Sequence, residues 1–166
     1  MIKITIVLLL LCWGNVCLSQ DNTLPISTLT PGDTYTTSAK VACVAKTGSE
    51  PNSIRNVPTS TKNEVFNSYG IPKGNHTGYC DGIKGCELDH LISLKLGGSN
   101  SSKNLWPQSY TGNWNAIHKD NLEKRLIARV CRTSKLHPIK LPIKVAQKAI
   151  ATDWIKAYQD YIIDNK

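Results

Sequence analysis

The spacing of apolar and polar residues divides the chain into segments of different expected structure. Residues 20–40 are rich in Thr, Ser, Asp, Pro and Gly with little periodicity, which predicts a loose N-terminal arm. Order is expected from Val41, with KVACVA a short strand. TKNEVFNSYG reads as a helix begun by a Ser or Thr cap and stopped by Gly70, with Pro72 beyond it. GIPKGNHTGYCDGIKGC is expected to be loop. In ELDHLISLKL, Leu88, His90 and Ile92 alternate with Glu87, Asp89 and Leu91, a period of two that predicts a strand with one face inward. LGGSNSS has the composition of a turn, and KNLWP is a short returning strand that Pro107 should end, so the two form a hairpin. In WNAIHKDNLEKRLIARVC, Leu122, Leu126 and Val130 recur at steps of four, the apolar stripe of an amphipathic helix. A C-terminal helix at about 142–163 has Pro142 at its entrance and Val145, Ile150, Trp154, Ala157, Tyr158 and Tyr161 on its core-facing side. Trp106 is expected in the core as well, whereas Trp114 suits either a core or a base-stacking role. The chain shows no internal repeat.

The length of 166 residues suits one compact domain, at 41–166, after processing. Residues 1–19 carry Lys3, an apolar run from Ile4 to Leu11 and small residues at Cys17 and Ser19, the pattern of a cleaved signal peptide. Cys12 follows Leu11 and Cys17 follows Val16, which argues against a bacterial lipidation site. No later segment resembles a transmembrane helix, so export to a secreted or periplasmic location is expected, without stable membrane association after cleavage. That leaves Cys43, Cys80, Cys86 and Cys131 in a compartment that permits disulfides. Four cysteines allow three pairings. Cys80 and Cys86 flank a short glycine-containing loop that can close locally, which would leave Cys43 to reach Cys131; a zinc module built on Cys80, Cys86 and His76 is the alternative. The formal net charge is +8, or +7 once Lys3 is removed, which favours polyanionic partners and above all nucleic acid. Asn75-His-Thr and Asn100-Ser-Ser fit the glycosylation sequon, which matters only in a eukaryotic secretory pathway.

Asp89-His90 on one strand, Asn104 on the next and a helix after them form a recognisable arrangement. The stretch from about 87 to 131 resembles the HNH endonucleases, whose shared element is a ββα-metal hairpin and helix. The motifs DHLISLKLGG, NLWPQ and KDNLE, with SIRNVP, YGIP and AQKAIATDW around them, resemble an exported or phage-type branch of that superfamily. The resemblance implies an α+β fold, a small ββα-metal core with additional flanking helices, stabilised by disulfides. It also implies a metal-dependent endonuclease acting on nucleic acid, DNA before RNA, with magnesium as the expected cation and manganese or another transition metal as a substitute.

The same resemblance distributes the roles. His90 is the general base, since a neutral imidazole can take a proton from water near pH 7. Asp89 is a metal ligand, although ideal strand geometry points it to the opposite face from His90, so a bend is expected there. Asn104, fourteen positions after His90, braces the hairpin through bonds to backbone. On the helix, Asn115, Lys119 and Glu123 lie at steps of four and share a face. Asn115 is the expected second metal ligand and His118 the alternative; Glu123 would hold metal-bound water, and Lys119 would face a phosphate. Arg55, Arg125 and Arg129 are candidates for gripping phosphate, Arg129 being the most like ordinary surface charge. His76 and His137 have no partner legible in the sequence. A different class of function fits the same composition, a secreted basic protein that binds nucleic acid on a nuclease scaffold without cleaving it.

Overall fold

The computed structural model describes residues 24–49, 52–71, 86–136 and 138–165. The expected signal segment, Cys80, His76, His137 and the loop between Ile71 and Cys86 lie outside the described residues. The described chain is α+β, with one antiparallel pair of strands and several helices.

A short helix at Ala39–Val44, α1, stands where KVACVA reads as a strand. Ser38 caps it by accepting from the Val41 N–H, and Ala42 is the residue it buries; a local cap and small residues override the β-branched pair Val41 and Val44. Helix α2 spans Thr59–Ser68 and buries Val65 and Phe66, but Pro58 precedes it and no side chain caps it, contrary to the expected Ser or Thr cap. Gly70 ends it in the left-handed region at φ 75.

Strand β1 is Cys86–His90 and strand β2 is Leu105–Ser109, paired from Cys86↔Ser109 to His90↔Leu105. Two corrections arise here. β1 ends at His90, after which Leu91, Ile92, Ser93 and Leu94 are all buried in an irregular loop, so the alternation does not continue to Leu96. β2 runs through Pro107 instead of stopping at it. The Leu91 N–H donates to the Asn104 carbonyl at 2.8 Å, which makes Leu91 and Asn104 a hydrogen-bonded pair. Alternation then puts Leu88↔Pro107 at a non-bonded pair, where the missing proline N–H removes no ladder bond.

Helix α3, Ala116–Cys131, presents Leu122, Leu126 and Val130 to the core, each at most 1 % exposed. The C-terminal segment is two helices, not one: α4 at Ile143–Thr152 and α5 at Trp154–Tyr158, the latter continuing as a wider helical turn over Gln159–Ile163. The break is Asp153, held extended at φ −161, whose carboxylate accepts from the Lys156 N–H and so starts a new helix. Ile150, Trp154, Ala157 and Tyr161 are buried with Trp106 in the main core, whereas Val145 is exposed and does not join it. Among the described residues no helix is long and apolar enough to cross a membrane.

Residues 24–38 are not loose. Thr30 is buried, donates to the Leu105 carbonyl at 2.9 Å and shares a 2.7 Å hydrogen bond with the Tyr69 hydroxyl. The Gly32 N–H donates to the Lys103 carbonyl, and Thr34 bridges to Gly98. The polar residues that read as disorder are hydrogen-bonded to the loop between the two strands. Gln147 of α4 closes the same region, donating to the carbonyls of Thr36 and Leu96.

Cys43 on α1 and Cys131 at the end of α3 form a disulfide, with Cα atoms 5.7 Å apart across 88 residues of sequence. Closing a loop of that length restricts the unfolded chain, so replacing both cysteines by serine should lower the unfolding free energy by about 2–5 kcal/mol. Denaturant titration checks this, and an unchanged midpoint would show that α1 contributes no tethering. Cys86 is also disulfide-bonded. A sulfur held in a disulfide is not a thiolate ligand, so the zinc module using Cys86 is set aside.

Candidate active site

The chain leaves β1 at His90 and returns to β2 at Leu105 through a loop that wraps around one side chain, Asn104. That side chain has no exposed surface. Its Oδ1 accepts from the N–H groups of Ile92 and Asp33, and its Nδ2 donates to the carbonyls of Ile92 and Ser99. The glycine pair allows this wrapping. A Cβ on Gly98 would lie 1.7 Å from the Ile92 carbonyl oxygen, and one on Gly97, at φ 84, would lie 2.3 Å from the Thr36 carbonyl oxygen. Asn104 therefore acts on His90 through the backbone that follows it.

His90 is 7 % exposed and borders a cavity of about 400 Å³ whose wall includes Arg55, Glu87, Asp89, Asp120 and Glu123. Asp89 and His90 border the same cavity at the end of β1, where the chain turns away into the loop after His90. Burial holds the imidazole below its ordinary value of 6.5, with Lys119 and Arg55 acting in the same direction and the Asn100 bond and Asp89 opposing. The ring is thus held in its neutral form near pH 7.

Lys119 is 1 % exposed and does not face a phosphate. Its ammonium donates to Asp89 Oδ2 and to the His90 carbonyl, both at 2.7 Å, and to Glu123 Oε1; it also lies 5.1 Å from the centre of the Trp106 ring. Burial alone would lower its pKa, but the charges of Asp89 and Glu123 outweigh that and raise it, so the lysine stays charged. Glu123 is pushed up by burial and by Asp89, against the opposing pull of Lys119. Glu87 is raised by burial and by Asp89; Tyr110 donates to it at 2.7 Å, and burial with that bond pushes the phenol up to about 12.

The structure brings Asp89, His90, Glu123 and Arg55 to one cavity, with Lys119 sealed behind it. It does not bring Asn115 or His118 to that wall. Asn115 is the N-cap of α3, its Oδ1 accepting from the N–H groups of Ile117 and His118 and contacting His118 Nδ1 at 3.0 Å. The His118 ring lies edge-on between Trp114 and Tyr158, and Trp114 also meets Trp154 at 6.0 Å, so Trp114 belongs to this aromatic cluster. Arg125 points elsewhere, to the Tyr161 carbonyl and Asn165 at the C-terminal end.

Among the described residues no three His, Cys, Asp or Glu side chains converge as an ion-holding group. The donor chemistry of the cavity is carboxylate oxygen from Asp89, Glu123, Glu87 and Asp120, which fits a hydrated hard cation held by one or two protein oxygens rather than a zinc-type cage.

Glu87, Asp120 and Asn100 are residues of the site that the sequence reading did not assign to it. Asn100, in the turn-like SNSS, contacts His90 Nε2 through Oδ1 at 2.8 Å, while its Nδ2 donates to the carbonyls of Ile54 and Asn56. Its signals in the sequence were the composition of a turn and a glycosylation sequon, neither of which points to His90. The amide nitrogen of this glycosylation sequon is thus engaged with backbone on both sides of Arg55. Comparison of the chain with family models, with curated proteins and with solved structures finds no match.

Proposed function

We propose that the chain is a secreted, metal-dependent endonuclease of the HNH type that hydrolyses phosphodiester bonds of nucleic acid, DNA in preference to RNA. The observation that carries the reading is His90: a histidine biased to its neutral form, beside Asp89 on the wall of an acid-lined cavity, on a strand–loop–strand–helix unit braced by Asn104. In this reading His90 takes a proton from water as the water oxygen attacks phosphorus and the bond to the 3′ oxygen breaks, solvent supplying that oxygen's proton. Arg55 binds the phosphate, and Asn104 keeps the backbone after His90 in place.

The carboxylates on the wall support a cation requirement. Glu87, Asp89, Asp120 and Glu123 would repel a phosphodiester brought to His90, while the buried Lys119 ammonium is already engaged by two of them. Asp89 and Glu123 are the residues that would hold magnesium. The bound cation supplies neutralisation of charge on the reacting phosphate.

The test is incubation of the mature, oxidised chain with supercoiled plasmid and, separately, with RNA, in magnesium and then in excess chelator. Nicking of the plasmid that stops with chelator is the expected result. Retention of both substrates without cleavage across several divalent metals would instead support a protein that binds nucleic acid without turning it over.

A further inference from the structure

We propose that Asn100 is the positioning residue of this site: it fixes His90 with Nε2 protonated and Nδ1 as the basic nitrogen, and it ties that orientation to the placement of Arg55. The direction of the bond follows from the amide itself. The two oxygens that Asn100 Nδ2 contacts, on Ile54 at 2.8 Å and Asn56 at 3.3 Å, belong to backbone carbonyls and can only accept. Nδ2 must therefore face them, and Oδ1 must face the imidazole. Oδ1 is an acceptor, so the ring nitrogen 2.8 Å away is the one that carries the proton. In the neutral ring the other nitrogen, Nδ1, then holds the lone pair. A flipped amide would set Nδ2 against a ring nitrogen and leave an oxygen facing two carbonyl oxygens.

The same amide spans Arg55. By holding the carbonyls of Ile54 and Asn56 it fixes the backbone on both sides of the arginine that borders the cavity, while the Ile54 N–H donates to the Lys46 carbonyl at 2.8 Å. Base and phosphate-gripping cation are thereby set by one side chain that itself touches no reacting atom. The role in turnover rests on the hydrolytic reading, whereas the hydrogen bond does not.

The experiment separates the two. Proton NMR of the full oxidised chain with 15N-labelled histidine, at a pH where the imidazole is neutral, should show a slowly exchanging proton on His90 Nε2, assigned by its absence in His90→Gln. Asn100→Ala should lose that signal while retaining its thermal transition, and its kcat on plasmid should fall about 10–100-fold, the usual effect of removing a group that orients a histidine. Asn100→Asp keeps the acceptor but loses both donors to the Arg55 segment, so it should retain the Nε2 proton and raise KM. A proton on Nδ1 in the unmodified chain, or an unchanged Nε2 signal in Asn100→Ala, overturns the proposal even if cleavage is confirmed. The expected NMR pattern in a chain that cleaves nothing would uphold the orientation and refute the hydrolytic reading and, with it, the role in turnover.

Discussion

His90→Ala should reduce cleavage by about 10²–10⁴-fold, the range typical of a lost general base, while the protein stays folded. The expectation rests on position as well as residue type. His90 is the last residue of its strand, its neighbour Asp89 is paired with buried Lys119, and its ring borders the acid-lined cavity. Truncation also removes the imidazole's bond to Asn100, so a modest loss of stability accompanies the loss of activity. His90→Gln controls for this, because its amide can still donate to Asn100 Oδ1 but cannot act as a base near pH 7. Plasmid nicking and a thermal melt on both variants distinguish the cases: activity lost in both with the transition retained supports the role of base, whereas activity lost only in step with unfolding would make His90 structural.

Lys119→Met has its largest effect on stability. The ammonium is held among Asp89, Glu123 and the His90 carbonyl, and both carboxylates are mostly buried, at 17 % and 16 % side-chain exposure. Removing the lysine leaves them together without a counter-charge, a change that costs about 3–5 kcal/mol in comparable buried pairs. The pH dependence has a definite sign. Glu123 is already raised, and losing Lys119, which lowers it, raises it further. A carboxyl raised in the folded state favours folding as pH falls and disfavours it as pH rises through its folded value. The deficit of Lys119→Met should therefore shrink on going from pH 8 to pH 5. Urea titrations at both values check this; equal deficits would mean that the lost contact is packing against Trp106 and not charge.

These two residues mark how far the sequence could be read. The stripe Leu122, Leu126 and Val130 announced α3 because its apolar partners recur within one helix, and the composition of LGGSNSS announced a turn between the two strands. The fate of Lys119 was not legible. A lysine on a polar helix face ordinarily points outward, and only the fold brings Asp89, thirty residues earlier, against it. The N-terminal segment failed for the same reason. Its order comes from Thr30 bonding to Tyr69 and Leu105, at separations of 39 and 75 residues that no local pattern reports. Asn100 was hidden by a composition that means turn in any context. Asp153, read within a continuous helix, breaks it because a short carboxylate can cap the next segment as readily as it can ride on a helix surface.

The most direct test of the central claim, that His90 is the base of a hydrolytic site, is the nicking rate of His90→Ala on supercoiled plasmid in magnesium, with and without added imidazole, beside the unmodified chain. Nicking by the unmodified chain is expected, with little by the variant and partial recovery when free imidazole enters the cavity left by the side chain. Nicking by His90→Ala at the unmodified rate, with imidazole making no difference, would contradict that claim.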